Sequence, residues 1–238
     1  MLLKDAIERV RDELGYWPGA MFYSGRSALA HPSEFYFLGF NPHGYKDEPD
    51  LKKEVDEWLV NPSMEVHSAF DRGWKEDGSC TLYQIAVRHL FQTLGLTNSN
   101  VPSSNLIFMS APSEQDLMRL AEERLGLSWW ALAEKCWAVH ENVIATVRPK
   151  YILCLGNKTN EFVAGKLGAK KPYNHIGIYK QSGTDRRLAW ATSGSRDEGE
   201  PVVFGLAHPS RKGGWVPARN SPVEWVKGVV DATNYWSK

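Results

Sequence analysis

Apolar residues recur along this chain in two periods, and the alternation between them predicts the architecture. The uninterrupted runs Phe35-Tyr36-Phe37-Leu38-Gly39-Phe40, Tyr151–Asn157 and Val202–Ala207 have the length and composition of strands buried on both faces. Shorter runs at Asn105–Met109 and Leu188–Thr192 predict two more, the former beginning at Asn105. Between the strands the apolar positions take helical spacing. Leu3, Ile7, Val10 and Leu14 predict a first helix stopped by Gly15, and further helices are expected near 50–59, 81–94, 115–125, 131–147, 159–167 and 222–236. On the 81–94 helix, Leu82, Ile85, Ala86, His89, Leu90 and Leu94 are expected to share the buried face. Residues 60–79 have no period, which predicts a long loop able to cover a site.

Buried strands separated by helices predict an α/β fold: a three-layer α/β/α sandwich on a mostly parallel central sheet of about four to five strands. A single domain is expected to span residues 1–238. Ligands of such sheets bind beyond the carboxyl ends of the strands. Two strand ends are chemically loaded: Asn41 in the turn Gly39-Phe40-Asn41-Pro42-His43-Gly44, and His208 in His208-Pro209-Ser210-Arg211-Lys212. Both are expected to face one crevice.

Composition narrows the partners. With 28 basic and 28 acidic residues the formal charge is zero, so no global field advertises a nucleic acid or a membrane. The most basic stretch is 166–187, which sets six Lys and Arg against Asp185. Cys80, Cys136 and Cys154 form no CxxC pair, which argues against a zinc site, a four-cysteine cluster or a disulfide framework and suits a reducing cytoplasm. The charged N-terminal residues read as neither a signal peptide nor a membrane span.

Several chemistries are excluded by pattern. No Gly-x-Ser-x-Gly elbow accompanies Ser210 and His208, and Gly39 to Gly44 is followed by Tyr45-Lys46 instead of the Lys-Ser/Thr of a phosphate loop. His43, His67 and His89 are scattered and read as solvent-facing or satisfied residues, not metal ligands. Asn and His at strand ends, with main-chain amides and no metal, suit a reaction whose leaving group becomes an anion. The Asn would hold a water and the His would donate a hydrogen bond to developing charge. N-glycosidic hydrolysis is such a reaction.

Gly39-Phe40-Asn41-Pro42 resembles the first motif of the uracil-DNA glycosylase superfamily, in the Gly-x-Asn-Pro form of its mismatch-specific and single-strand-selective monofunctional branches. His208-Pro209-Ser210-Arg211, with Gly214-Trp215 after it, is similar to the second motif, and Asn105 and Leu155-Gly156-Asn157 fall between them in the family's order. The resemblance implies that Asn41 positions the water and that the main chain around Phe40 and Pro42 holds the base. It implies that Asn105 reads the base edge and that His208 stabilises the departing anion. Pro209, Ser210 and Arg211 would press into DNA, with Lys212 near phosphate. The reaction would need no cofactor and would leave an abasic site, and the enzyme is expected to be a cytoplasmic monomer acting on uracil- or lesion-containing DNA.

The chain departs from that pattern after Pro42. The active branches continue with a small residue and then a Phe that stacks on the base, whereas here His43-Gly44-Tyr45 is followed by acids. Tyr45 is the stacking candidate and Phe70 the second. Asn in place of Asp at 41 sets the chain apart from the branch with a water-activating carboxylate and predicts slower hydrolysis. Two other readings stand beside the enzyme: a catalytically inactive relative that binds a nucleobase, nucleic acid or protein, and a hydrolase of free nucleosides or nucleotides. A purely structural role, with Asn41 as a strand-end cap and His208 packed in its loop, is the bland alternative.

Overall fold

The computed structural model describes residues 2–44, 50–169, 171–172, 178–180, 187–193, 200–209, 215 and 222–236. In chain order the elements are α1 (Leu3–Leu14), α2 (Arg26–Ala30), β1 (Phe35–Gly39), α3 (Leu51–Val60), α4 (Leu82–Thr93), β2 (Ser103–Asn105), α5 (Glu114–Leu125) and α6 (Trp129–Val147). They continue as β3 (Tyr151–Leu155), α7 (Asn157–Lys166), β4 (Lys171–Pro172), β5 (Ile178–Lys180), β6 (Arg187–Ser193), β7 (Val202–Leu206) and α8 (Pro222–Trp236). The chain is α/β, as expected, and β1 with β2 and β3 with β7 run parallel. No helix among the described residues is long and apolar enough to cross a membrane. The chain divides into two compact units, residues 1–67 with 102–149 and residues 68–101 with 150–238.

In the first unit, β1 is buried along its whole length, which is why its sequence shows no polar alternation. β2 pairs with it in the register Phe37 to Ser103, Leu38 to Ser104 and Gly39 to Asn105. Asn105 therefore closes β2, where the apolar run predicted that it would open a strand. Pairing continues irregularly beyond it. Ile107 N donates to Phe40 O at 2.9 Å and Ala111 N to Pro42 O at 3.2 Å. On the other side Phe22 and Gly19 bridge antiparallel to Ser104 and Met109, and Ala20 N donates to Phe108 O at 3.1 Å. The stretch 103–111 is thus held on both edges. The carboxyl side chain of Asp50 caps α3 by accepting from Lys53 N at 2.7 Å.

His140, on α6, ties this framework together. Its Nε2 lies 3.2 Å from Leu106 O, which can only accept, so Nε2 carries the proton and Nδ1 accepts from the Tyr36 hydroxyl at 2.8 Å. The ring is fully buried, and desolvation pushes its pKa down to about 4.

In the second unit β3 and β7 pair along five residues, and β6 turns antiparallel on β7 with β4 and β5 antiparallel to β6. The β6–β7 contact leaves no room for a side chain at Gly205, where a Cβ would fall 2.0 Å from the Trp190 ring. Trp190 Nε1 in turn donates to Asn160 Oδ1 at 2.5 Å. α4 buries Gln84, Ala86, Val87, Leu90 and Phe91, while Leu82 and Ile85 are 75% and 52% exposed, so the apolar face is rotated from the expected one. The rotation has a polar cause. Gln84 accepts from Trp74 N and Thr81 N, each at 3.0 Å, and donates to Arg72 O at 2.5 Å, so its amide is satisfied inside.

Candidate functional site

Asn41 follows β1 and Asn105 ends β2, so both stand at the carboxyl end of one parallel pair, where ligands of α/β sheets bind. Gly39, read from the sequence as a turn former, is a strand residue directly opposite Asn105. A Cβ there would lie 2.4 Å from Asn105 Oδ1, so the bare backbone of Gly39 supplies the space in which the amide sits. Asn105 is 1% exposed, and neither its Oδ1 nor its Nδ2 has a hydrogen-bond partner among the described residues. Native interiors seldom leave a primary amide in this state.

Asn41 is half-buried, and its Nδ2 donates to Pro42 O at 2.7 Å and, more weakly, to Ala111 O at 3.5 Å. The donors of the amide are committed to the turn, which presents Oδ1 as its remaining acceptor. Pro42 is buried, and the half-buried Phe40 meets Trp129 edge-on at 5.9 Å. Tyr45 lies outside the described residues.

In the second unit His208 stands two residues beyond β7. Gly156, at φ 85°, makes the sharp exit from the neighbouring strand β3, and its N donates to Leu206 O at 2.7 Å. The backbone just before His208 is anchored by buried Trp215, whose Nε1 donates to Ala207 O at 2.9 Å. The imidazole stacks on Tyr83 with centroids 5.5 Å apart and planes 23° apart. Phe70, expected as the second stacking residue for a base, is instead a core residue. It is 0% exposed, with Trp74, Tyr83 and Phe91 packed about its ring at 5.7, 6.2 and 5.7 Å. Pro209 is also buried, and not presented as a wedge, whereas Ser210, Arg211 and Lys212 lie outside the described residues, as does most of the basic stretch 166–187.

The sequence did not single out Tyr83, nor His140 behind Asn105. A lone aromatic on an amphipathic helix and a lone His on an apolar one carry no signal of their partners. Among the described residues no group of three or more His, Cys, Asp or Glu gathers in metal-binding geometry. Buried Cys136 has its thiol pushed up to about 12 by desolvation, and Cys154 is shifted the same way, so neither serves as a thiolate at neutral pH. A scan against protein-family models finds no match, and a search of curated proteins finds none either.

Proposed function

We propose that the protein is a monofunctional DNA glycosylase that hydrolyses the N-glycosidic bond of uracil or a related damaged base without a metal. The observation that carries this reading is Asn105, buried against Gly39 with neither amide atom partnered among the described residues. An unsatisfied buried polar group costs about 1–3 kcal/mol. A base edge that offers a carbonyl oxygen beside an N–H, as uracil does, satisfies donor and acceptor together and recovers that cost on binding.

In this reading the Oδ1 of Asn41 accepts a hydrogen bond from a water and aims its oxygen at the anomeric carbon. The new carbon–oxygen bond forms as the bond to the base nitrogen breaks, and the electron pair leaves with the base. The water's proton passes to solvent, and DNA keeps an abasic site. The resemblance alone gives His208, in the second unit, its role as donor to the base oxygen that gains charge. Asn41 is a weaker partner for water than a carboxylate, so the rate is expected to be modest.

The zero formal charge favours a second reading, in which a base is bound and not cleaved, since phosphate neutralisation drives much of nucleic-acid affinity. One panel decides between them. Oligonucleotides carrying uracil, hypoxanthine, xanthine or oxidised pyrimidines, single- and double-stranded, are incubated with the protein in chelator beside the free nucleosides. Alkali-labile strand breaks that disappear in Asn41→Ala and His208→Ala support the glycosylase. Intact strands at stoichiometric protein overturn it, and release of base from nucleosides alone assigns the activity to that class instead.

A further inference from the structure

We propose that Tyr83 is a positioning residue for His208, clamping the plane of its imidazole so that its in-plane N–H is aimed before substrate arrives. The inference rests on the role given to His208 above. The two rings are 5.5 Å apart between centroids and tilted by only 23°, an offset stack that occupies a face of the imidazole. A ring N–H donates in the plane of its ring, and a hydrogen bond weakens steeply away from linearity. Fixing the plane therefore fixes the direction of donation.

The clamp is backed by rigid structure. Tyr83 stacks on Trp74 at 5.7 Å and 27°, and Trp74 on Phe70 at 5.7 Å and 30°. The Trp74 indole N–H donates to Ala69 O at 2.7 Å, and Gln84, next to Tyr83 on α4, staples the main chain of Arg72 and Trp74 to the start of the helix. From the other direction Trp215 holds Ala207, one residue before His208, by its carbonyl. Backbone and ring of His208 are thus restrained by different elements of the second unit. Such a restraint removes rotamer freedom that a reacting complex would otherwise have to freeze, and misaimed catalytic groups cost about a hundredfold in rate.

Tyr83→Leu and Tyr83→Phe separate positioning from mere packing. The imidazole resonances of His208, assigned by their loss in His208→Gln, are recorded by NMR in the wild type and both variants. Beside them kcat and KM are measured on the oligonucleotide that the panel selects. The expected result is a ring-current displacement of the His208 signals that vanishes in Tyr83→Leu and persists in Tyr83→Phe. The kcat should fall about ten- to hundredfold in Tyr83→Leu with KM within about twofold, and Tyr83→Phe should retain the rate within about twofold. Unchanged His208 signals in a folded Tyr83→Leu overturn the clamp whether or not the protein cleaves any oligonucleotide. Signals that shift with no loss of kcat in an active enzyme overturn its catalytic use. Absence of all cleavage removes the glycosylase reading alone, and the NMR arm still decides the clamp. If Tyr83→Leu does not fold, Tyr83→Met carries the same comparison.

Discussion

The amide of Asn105 occupies the space that a side chain at Gly39 would need: a Cβ at 39 would stand 2.4 Å from Oδ1. Strand pairing fixes both positions, because Leu106 N donates to Gly39 O at 2.9 Å. Gly39→Ala is therefore expected to destabilise the protein by about 1–3 kcal/mol, the range for overpacking a buried position. Asn105→Ala in the same chain should restore most of the loss. Urea unfolding of the two single variants and the double variant measures the coupling, and additive effects would refute the steric link.

Asn105→Ala by itself removes a buried amide that has no hydrogen-bond partner among the described residues. Deleting such a group returns its desolvation cost, so the variant is expected to be at least as stable as the wild type while losing excision. A clear fall in the urea midpoint would show that the amide is bonded within the fold and is not held open for a ligand.

Asn41→Asp, which imitates the carboxylate branch of the resembling family, is expected to weaken the fold by about 1–3 kcal/mol. Asn41 Nδ2 donates to Pro42 O at 2.7 Å, and a carboxylate there would face that carbonyl with no hydrogen to offer. The gain in water activation is thus set against a strained turn. Thermal unfolding alongside single-turnover excision would show the two effects moving in opposite directions.

Acid should loosen the first unit through His140. Its folded pKa, about 4, lies below the unfolded value of 6.5, so between these values the unfolded chain binds more protons. The stability is fully present above pH 6.5 and is lost as pH falls toward 4, by about 3 kcal/mol in all. Glu54 on α3 acts in the opposite sense. Desolvation, opposed by a bond from Met21 N, raises its carboxyl to about 8, so its contribution is present below pH 4.5 and is lost as pH rises through 8. Between pH 4.5 and 6.5 the two slopes oppose and largely cancel, so urea midpoints should fall from pH 4.5 to 8 in His140→Asn, and rise from pH 4 to 6.5 and then stay level in Glu54→Gln. Parallel curves for wild type and variants would rule out both assignments.

Strands β1, β3 and β7 were legible because burial on both faces leaves an unbroken apolar run, and α5, α6 and α8 because period and stop signals coincide. The face of α4 was not. Leu82 and Ile85 compete in the sequence with Val87 and Phe91, Leu90 being common to both faces, and the choice falls to polar Gln84, whose burial depends on main-chain groups at 72 and 74. Asn41 and His208 stood out as polar residues after strands. The seat of the Asn105 amide against Gly39, the His140 link to Tyr36 and the Tyr83 stack on His208 are relations between residues far apart in the chain, which no local pattern encodes.

The path of the chain also bears on how the protein is made. It passes between the two compact units three times, at 67–68, 101–102 and 149–150. A ribosome therefore delivers the first unit complete only when residue 149 emerges, with 68–101 already synthesised and waiting for β3 and β7. Neither half of the gene encodes a self-sufficient piece, so a stop codon or splice between the units would yield fragments that need each other. Any split-protein version would have to divide the chain inside a loop of one unit and not at one of the three passages between them.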